Sequence, residues 1–562
     1  MSGFSCRPIP RARKQVPRGT KSLAGPNAEA LEEMLSRLVT RMRQGGSPWA
    51  ANGADAWTSD DNDAIPAGYT YLAQLVAHDF VENTAQLPLI STFPGKLQRD
   101  YRTQRLVLDT LYGRGPVREP TTYALSTDGS ATRCLFRLGH VRGHEQPPFE
   151  PVKPPLLAQP ARDLPRAACP FLTDVAGPRA TPDVLIADVR NDQHLIISQL
   201  TALFLELHNI VFATVRRVQD APTADQIRDL NLPQRDHYVT DAAFLTAQAE
   251  TAFLQTRKVM AFVYRRVVVH DLLKRLLEPG VWAYYTDPAR RFPADLMEPM
   301  YDNQVPVAFS HSVFRFGHVM ARFSYRLNDQ LEVNPSIKDI IDRSSAHRSD
   351  LLPLASNWLI DWSHFFDLGD GKFINASRRI SPSVAFGPLS FEAAVPAEMN
   401  RDGGLFFRDF VRGAEAQVSS VADMVVKLRT GERERSDLLK DASYREQEVG
   451  RWLTFGPDVG FKPGELVELS KNPPLLLFVL LEAAHDQAGK RLGILGSTLV
   501  ADVFFGALAQ TAGVIEQDPA VPALVRLVFG TEVPSAMPQV IKFMKAKGGL
   551  ADVVFDPTAP NA

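Results

Sequence analysis

The sequence predicts a mainly α protein, one large helical domain carrying long irregular loops. Three observations lead there. Long segments keep apolar residues at helical spacing, most clearly Leu195 to Val218, Thr240 to Leu277 and Leu475 to Asp486. Runs that alternate apolar and polar residues, the mark of half-buried strands, are scarce. The connections hold many of the 42 prolines, above all from Gln146 to Arg166, a stretch that reads as an irregular surface excursion.

Taken in order, residues 1–27 are basic and rich in Pro and Gly, which reads as a flexible arm. Ala28 to Arg43 (AEALEEMLSRLVTRMR) has helical apolar spacing, and after a Gly/Ser/Asn-rich loop a second helix is expected from Tyr69 to Asn83. The apolar stretch Pro473 to Leu481 reads as the start of a buried helix. The helical domain is expected over 28–540, with a tail over 541–562. Long structureless loops are uncommon in compact domains unless they carry function or something else orders them. A large prosthetic group clamped between helices would supply that order.

The bulk properties narrow the function classes. With 45% apolar residues in 562, the chain can bury a large core. Its 62 basic and 64 acidic residues nearly cancel, so no global field points to nucleic acid or an anionic membrane. Cys6, Cys134 and Cys169 lie far apart, which indicates neither a disulfide framework nor a cysteine-ligated metal. No run approaches the roughly 18 apolar residues of a membrane span. The N-terminus lacks the apolar core of a secretory signal, so a cytoplasmic location is expected, with signal-independent export as the alternative.

Three segments carry the chemistry. In Tyr71-Leu-Ala-Gln-Leu-Val-Ala-His-Asp-Phe80, Gln74 and His78 share one helix face. A histidine there can be a core residue, or it can carry a proton to and from a bound substrate. In Ala187-Asp-Val-Arg-Asn-Asp-Gln-His194, Arg190 precedes a long apolar helix, where it can cap the helix or point into a cavity and stabilise developing negative charge. In Ser312-Val-Phe-Arg-Phe-Gly-His-Val-Met320, His318 follows a glycine and aromatic residues, which suits close approach by a flat cofactor. A haem iron takes such a proximal histidine, and a core histidine is the plain alternative.

Together these segments resemble the animal-type haem peroxidase (peroxidase–cyclooxygenase) superfamily, with the bacterial branch nearest in texture. The resemblance runs in order from Asp55 to Val533. It includes LDTLYGRGP at Leu108 to Pro116, RNDQ with LFLELHN, FRFGH, DWSHFFDL from Asp361, FFRDFVRG at Phe406 to Gly413, and LLEAAHDQAGKRLGILGSTLVADVFFGAL near the C-terminus. It implies a helical fold around a buried haem, with hydrogen peroxide and a small organic donor or halide as partners and a ferryl species between them.

By the same resemblance, His78 is the distal acid–base residue, Arg190 its charged partner, and Gln74 a distal-pocket residue. His318 is the axial iron ligand, and Arg315 and Arg412 stand where haem propionates are held. Asp409 stands where the family commonly has an asparagine beside the proximal histidine. Ala77 and Gln193 stand where mammalian members have ester-forming carboxylates, and His194 where one of them has a sulfonium link. Unmodified, non-covalent haem b follows. A calcium ion is also implied, with Asp79, Thr103 and Asp109 at ligand positions, but the usual loop acid is replaced by Val107, which leaves the ion open. His208 and Asn209 match family residues, and their place on an apolar helix suggests packing and hydrogen bonding.

Two other functions compete. A fatty-acid oxygenase of the same superfamily would carry a tyrosine three residues before His318, where Arg315 stands; Tyr325 lies on the wrong side. A pseudo-peroxidase, haem-binding but inactive, would be expected to have lost His78, Arg190 or His318.

Overall fold

Apolar side chains on nearly every face make Leu195–Val218 a core helix. It starts at His194, whose Nδ1 accepts from the Ile197 amide at 3.2 Å and so caps the first turn. Helices Asp241–Val267, Gly68–Phe80 and Ala520–Phe529 pack around it. Among the described residues it alone has the length and hydropathy to cross a membrane, which the sequence was not expected to contain, and 83% of its most apolar window is buried inside the protein.

The computed structural model describes residues 28–49, 59–81, 106–126, 130, 132–141, 162–167, 173–174, 177–178, 183–289, 305–384 and 404–550. They are mainly helical. The six-residue strand Asp61–Pro66 pairs antiparallel with Ala376–Arg378, and the other described strands are two-residue pairs. Residues 146–161 of the proline-rich stretch lie outside the described part, and at its end Arg166–Ala167 pairs with Asp183–Val184.

Two helices depart from the expected spans. The segment expected as one helix from Thr240 to Leu277 is capped by Thr240 and regular only to Val267. A wider π turn follows at Val268–Leu272, then a last helical turn at Leu273–Leu276. Polar partners hold the extra residue of that turn. Asp271 accepts from Tyr69 Oη (2.8 and 2.9 Å), Arg275 Nε (2.9 Å) and the Met537 amide (2.8 Å), while Trp282 Nε1 donates to the Val269 carbonyl at 2.9 Å. The second helix, expected to run to Asn83, stops at Phe80 with Val81 extended. At the other end of the chain, helix Met537–Ala546 crosses residue 540 with Ile541 and Met544 buried, so packing continues into the stretch expected as a tail.

The helix Leu475–Gln487 is buried from Leu475 through Ala484 and packs against the segment that carries His318. Glu482 ties it to the next helix by accepting from the Leu495 amide at 2.7 Å and the Gly496 amide at 3.0 Å. Burial, with Asp486 nearby, outweighs those two donors and pushes the Glu482 carboxyl up to about 8. Because the folded chain then binds this proton more tightly, the contribution to stability is present below the ordinary value of 4.5 and is lost as pH rises through about 8. The loss is on the order of 3–5 kcal/mol. Glu482→Gln is expected to flatten the fall in melting temperature between about pH 5 and 8. A variant with the wild-type slope would refute this source of the pH dependence.

Candidate active site

The helix Gly68–Phe80 is buried along almost its whole length, and Gln74 and Ala77 are its only partly open positions. His78 lies beside them in the last turn, 8% exposed. The same helix packs against the Val313–Met320 segment and the Leu195–Val218 helix.

The turn Val189–Asp192 grips the end of that helix. Arg190 Nη2 donates to the His78 carbonyl at 2.7 Å and Nη1 to the Val81 carbonyl at 2.6 Å. These are carbonyls that a helix end leaves without intrahelical partners, and a cation suits that end of the helix. Arg190 Nε and Nη2 also bind Asp188, at 2.9 and 2.6 Å. The guanidinium is therefore paired and engaged with main chain, which is the helix-end arrangement of the two that the sequence left open. Asn191 reaches the ring itself, with Oδ1 2.9 Å from His78 Nδ1. Its Nδ2 donates to Thr110 Oγ1 at 2.9 Å and to the Thr110 carbonyl at 3.2 Å.

Beside His78, His194 Nε2 lies 2.9 Å from Gln74 Oε1, and Gln74 Nε2 is 3.5 Å from Gln193 Oε1. Burial, with His78 nearby, pushes the His194 ring down to about 3. That keeps it neutral, as its capping role requires. The carboxamide of Gln74 is thus oriented by a histidine for which the resemblance suggested only a covalent-link position.

Packed against the Gly68–Phe80 helix is the 3-10 segment Val313–Met320, which carries His318 and whose Phe316, Val319 and Met320 are buried. The His318 side chain is 36% open, and among the described residues nothing stands within 4 Å of where a Cβ on Gly317 would point. His318 Nδ1 lies 2.6 Å from Asp409 Oδ2, and Arg315 Nη1 donates to the other oxygen at 2.6 Å. Arg315 Nε donates to the Ser310 carbonyl at 3.2 Å. Burial alone would raise the Asp409 carboxyl, but His318 and Arg315 pull it down to about 2. The carboxylate is therefore ionised and holds Nδ1, which leaves Nε2 as the nitrogen that could ligate a metal.

Arg315 and Arg412 act on this buried carboxylate and Arg408 lies beside it, with Glu415 as a second acid near Arg412. Burial and the neighbouring Arg315 lower Arg412, whose guanidinium makes no hydrogen bond or ion pair among the described residues. Such an excess of positive charge calls for anions. A planar group with an iron to ligate, an open edge at Gly317 and anionic arms fits these residues, as haem would.

The calcium position fares differently. The Asp79 oxygens accept from the amides of Leu108 and Thr110, both at 3.1 Å. Asp109 lies 3.6 Å from Arg257 Nη2. Both acids thus face hydrogen-bond donors, which a cation would have to displace. Thr103 lies outside the described residues.

Several contributors were not singled out in the sequence: Asn191, Asp188 and Thr110, and His194 in its role on Gln74. Three of these four fall inside the Ala187–His194 stretch, but nothing in spacing tells which of its polar side chains turns inward. His208, as expected, is structural. Its Nδ1 meets Tyr112 Oη at 2.8 Å and its Nε2 the Cys134 carbonyl at 2.9 Å, and burial lowers it to about 4. His364 and His485 have acidic partners in Asp329 (3.1 Å) and Asp486 (2.6 Å).

No protein-family model matches the chain, and no curated protein matches it. Among solved structures, the chain is similar to peroxidase A from Dictyostelium discoideum at 14% identity and a TM-score of 0.49, covering 92% of this chain and 89% of that one. It is also similar to a fatty acid alpha-dioxygenase from Oryza sativa at 12% identity and a TM-score of 0.39, covering 95% of this chain and 80% of that one. At this level of likeness, neither adds to the reading of the site.

Proposed function

We propose that this chain is a haem-dependent peroxidase that reduces hydrogen peroxide and oxidises small organic donors or halides. The observation that carries the reading is the buried Asp409 carboxylate, which holds both His318 Nδ1 and Arg315 at 2.6 Å, with the His318 segment packed against the helix that carries His78 and Gln74. The motif order read from the sequence supports it.

His318 Nε2 would ligate the iron, and Arg315 and Arg412 would meet the propionates. Bound haem supplies the electrons that cleave the O–O bond. The chain supplies proton movement and orientation. His78 takes the proton of the incoming peroxide and returns it to the departing oxygen, which leaves as water. Gln74, oriented by His194, offers its amide N–H to the incoming molecule. Arg190, balanced by Asp188, fixes the helix end on which His78 rides. With an organic donor, each turnover consumes one peroxide and takes an electron and a proton from each of two donor molecules, giving two waters; with a halide, one ion loses two electrons and leaves as hypohalous acid.

The oxygenase reading is the weaker one, because the position three residues before His318 is an arginine engaged with Asp409. Ala77 and Gln193 have no carboxylate for an ester bond, so haem b held without covalent links is the expected form.

An absorption spectrum of the purified protein before and after hydrogen peroxide tests the proposal. The expected result is a Soret band that shifts with peroxide and returns on adding guaiacol. A band that ignores peroxide would leave a pseudo-peroxidase, and no band at all would remove haem from the account. Acid–acetone should extract the pigment, and pigment retained on the protein would overturn the non-covalent assignment.

A further inference from the structure

We propose that Asn191 and Thr110 are positioning residues that decide which nitrogen of His78 carries the proton. The inference rests on the peroxidase reading of His78, but the hydrogen-bond polarity stands on its own.

The polarity is fixed by groups that cannot reverse. Asn191 Nδ2 lies 3.2 Å from the Thr110 main-chain carbonyl, which can only accept, so the nitrogen end of the amide must face Thr110. Asn191 Oδ1 therefore faces His78 Nδ1 at 2.9 Å, and it too can only accept. The proton then sits on Nδ1, and Nε2 is the accepting nitrogen of the ring. The Thr110 hydroxyl enforces the same direction. It lies 3.0 Å from Asp188 Oδ2, a carboxylate that takes its hydrogen, so its lone pair is what Asn191 Nδ2 meets at 2.9 Å.

The chain Asn191–Thr110–Asp188 thus runs one way from ring to carboxylate. Thr110 is 1% exposed and Asn191 is fully buried, so bulk water does not compete for these bonds. The same Asp188 holds Arg190, whose Nη2 binds the His78 carbonyl. The ring and the main chain of His78 are therefore fixed from one short turn, and the ring meets its substrate with the accepting nitrogen already chosen.

The test uses the full-length protein labelled with 15N-histidine, reduced and saturated with carbon monoxide so that any haem is diamagnetic. The variants are Asn191→Leu, Thr110→Val and the conservative Thr110→Ser. Wild type and Thr110→Ser are expected to show His78 protonated on Nδ1. Asn191→Leu should mix in the Nε2-protonated form, with a smaller shift for Thr110→Val. In parallel, the second-order rate with hydrogen peroxide should fall about a hundredfold in Asn191→Leu, with donor oxidation unchanged. It should fall less in Thr110→Val and recover in Thr110→Ser.

Wild-type tautomer and peroxide rate in Asn191→Leu would overturn the proposal and leave the peroxidase reading intact. A tautomer that follows Asn191 in a protein inert to peroxide would support the proposal and remove the peroxidase reading. If Asn191→Leu does not fold, the Thr110 pair decides, and equal tautomers in Thr110→Val and Thr110→Ser count against the proposal.

Discussion

Replacing His78 with leucine is expected to lower the second-order rate with hydrogen peroxide about a thousandfold while the Soret band stays in place. The expectation follows from a separation of tasks. His78 lies on the helix Gly68–Phe80, and the groups proposed to hold the cofactor, namely His318, Arg315 and Arg412, stand on other segments. On the proposed reading, removing the ring takes away the group that would move the proton but none that would hold the pigment. The size reflects what one positioned acid–base group contributes, roughly a hundredfold to ten-thousandfold. Leucine also leaves Asn191 Oδ1 without its partner, a burial cost of about 1–3 kcal/mol that bears on stability more than on rate. Stopped-flow mixing with peroxide gives the rate. A variant that keeps the wild-type rate would remove His78 from the reaction.

The second large effect is expected at Asp409, where two substitutions separate charge from structure. Asp409→Asn still offers an oxygen to His318 Nδ1 but removes the negative charge. The imidazole becomes a weaker donor to the iron, and the Fe(III)/Fe(II) potential should rise in a spectroelectrochemical titration. An unchanged potential would sink the idea that the carboxylate tunes the proximal ligand. Asp409→Leu goes further, because it leaves the Arg315 guanidinium, 18% exposed, without its counter-charge. Breaking a buried pair from one side costs about 3–5 kcal/mol. The melting temperature should drop clearly, and pigment should be lost as His318 is freed to turn. A variant as stable as wild type would show that the pair does not hold this part of the fold.

The sequence carried the helices further than it carried the site. Leu195–Val218 was legible to both ends, because apolar residues at helical spacing fill the whole span. The π turn at Val268–Leu272 was not legible, since one extra residue barely disturbs an apolar pattern and its reason, Asp271 meeting Tyr69 and Met537, is long-range. The stop at Phe80 was hidden for the same reason, because Arg190 supplies the donors that end the helix. At the site, His78, Gln74, His318 and Asp409 could be named because motif order singles out residue types. The engagement of Arg190 with Asp188, and the roles of Asn191 and Thr110, depend on which way each polar atom faces, and a linear pattern holds no such information.

The grip of Asn191 on His78 spans 113 positions of chain, and that of Asp409 on His318 spans 91. Contacts so distant cannot form from local structure, and each must wait until a long loop has closed. Helices such as Leu195–Val218 can begin to form early from their own residues, but the two histidines acquire their partners only when distant segments dock. The chemistry of this chain is therefore a late product of folding, and a partly folded chain can hold much of its helix while holding none of its site.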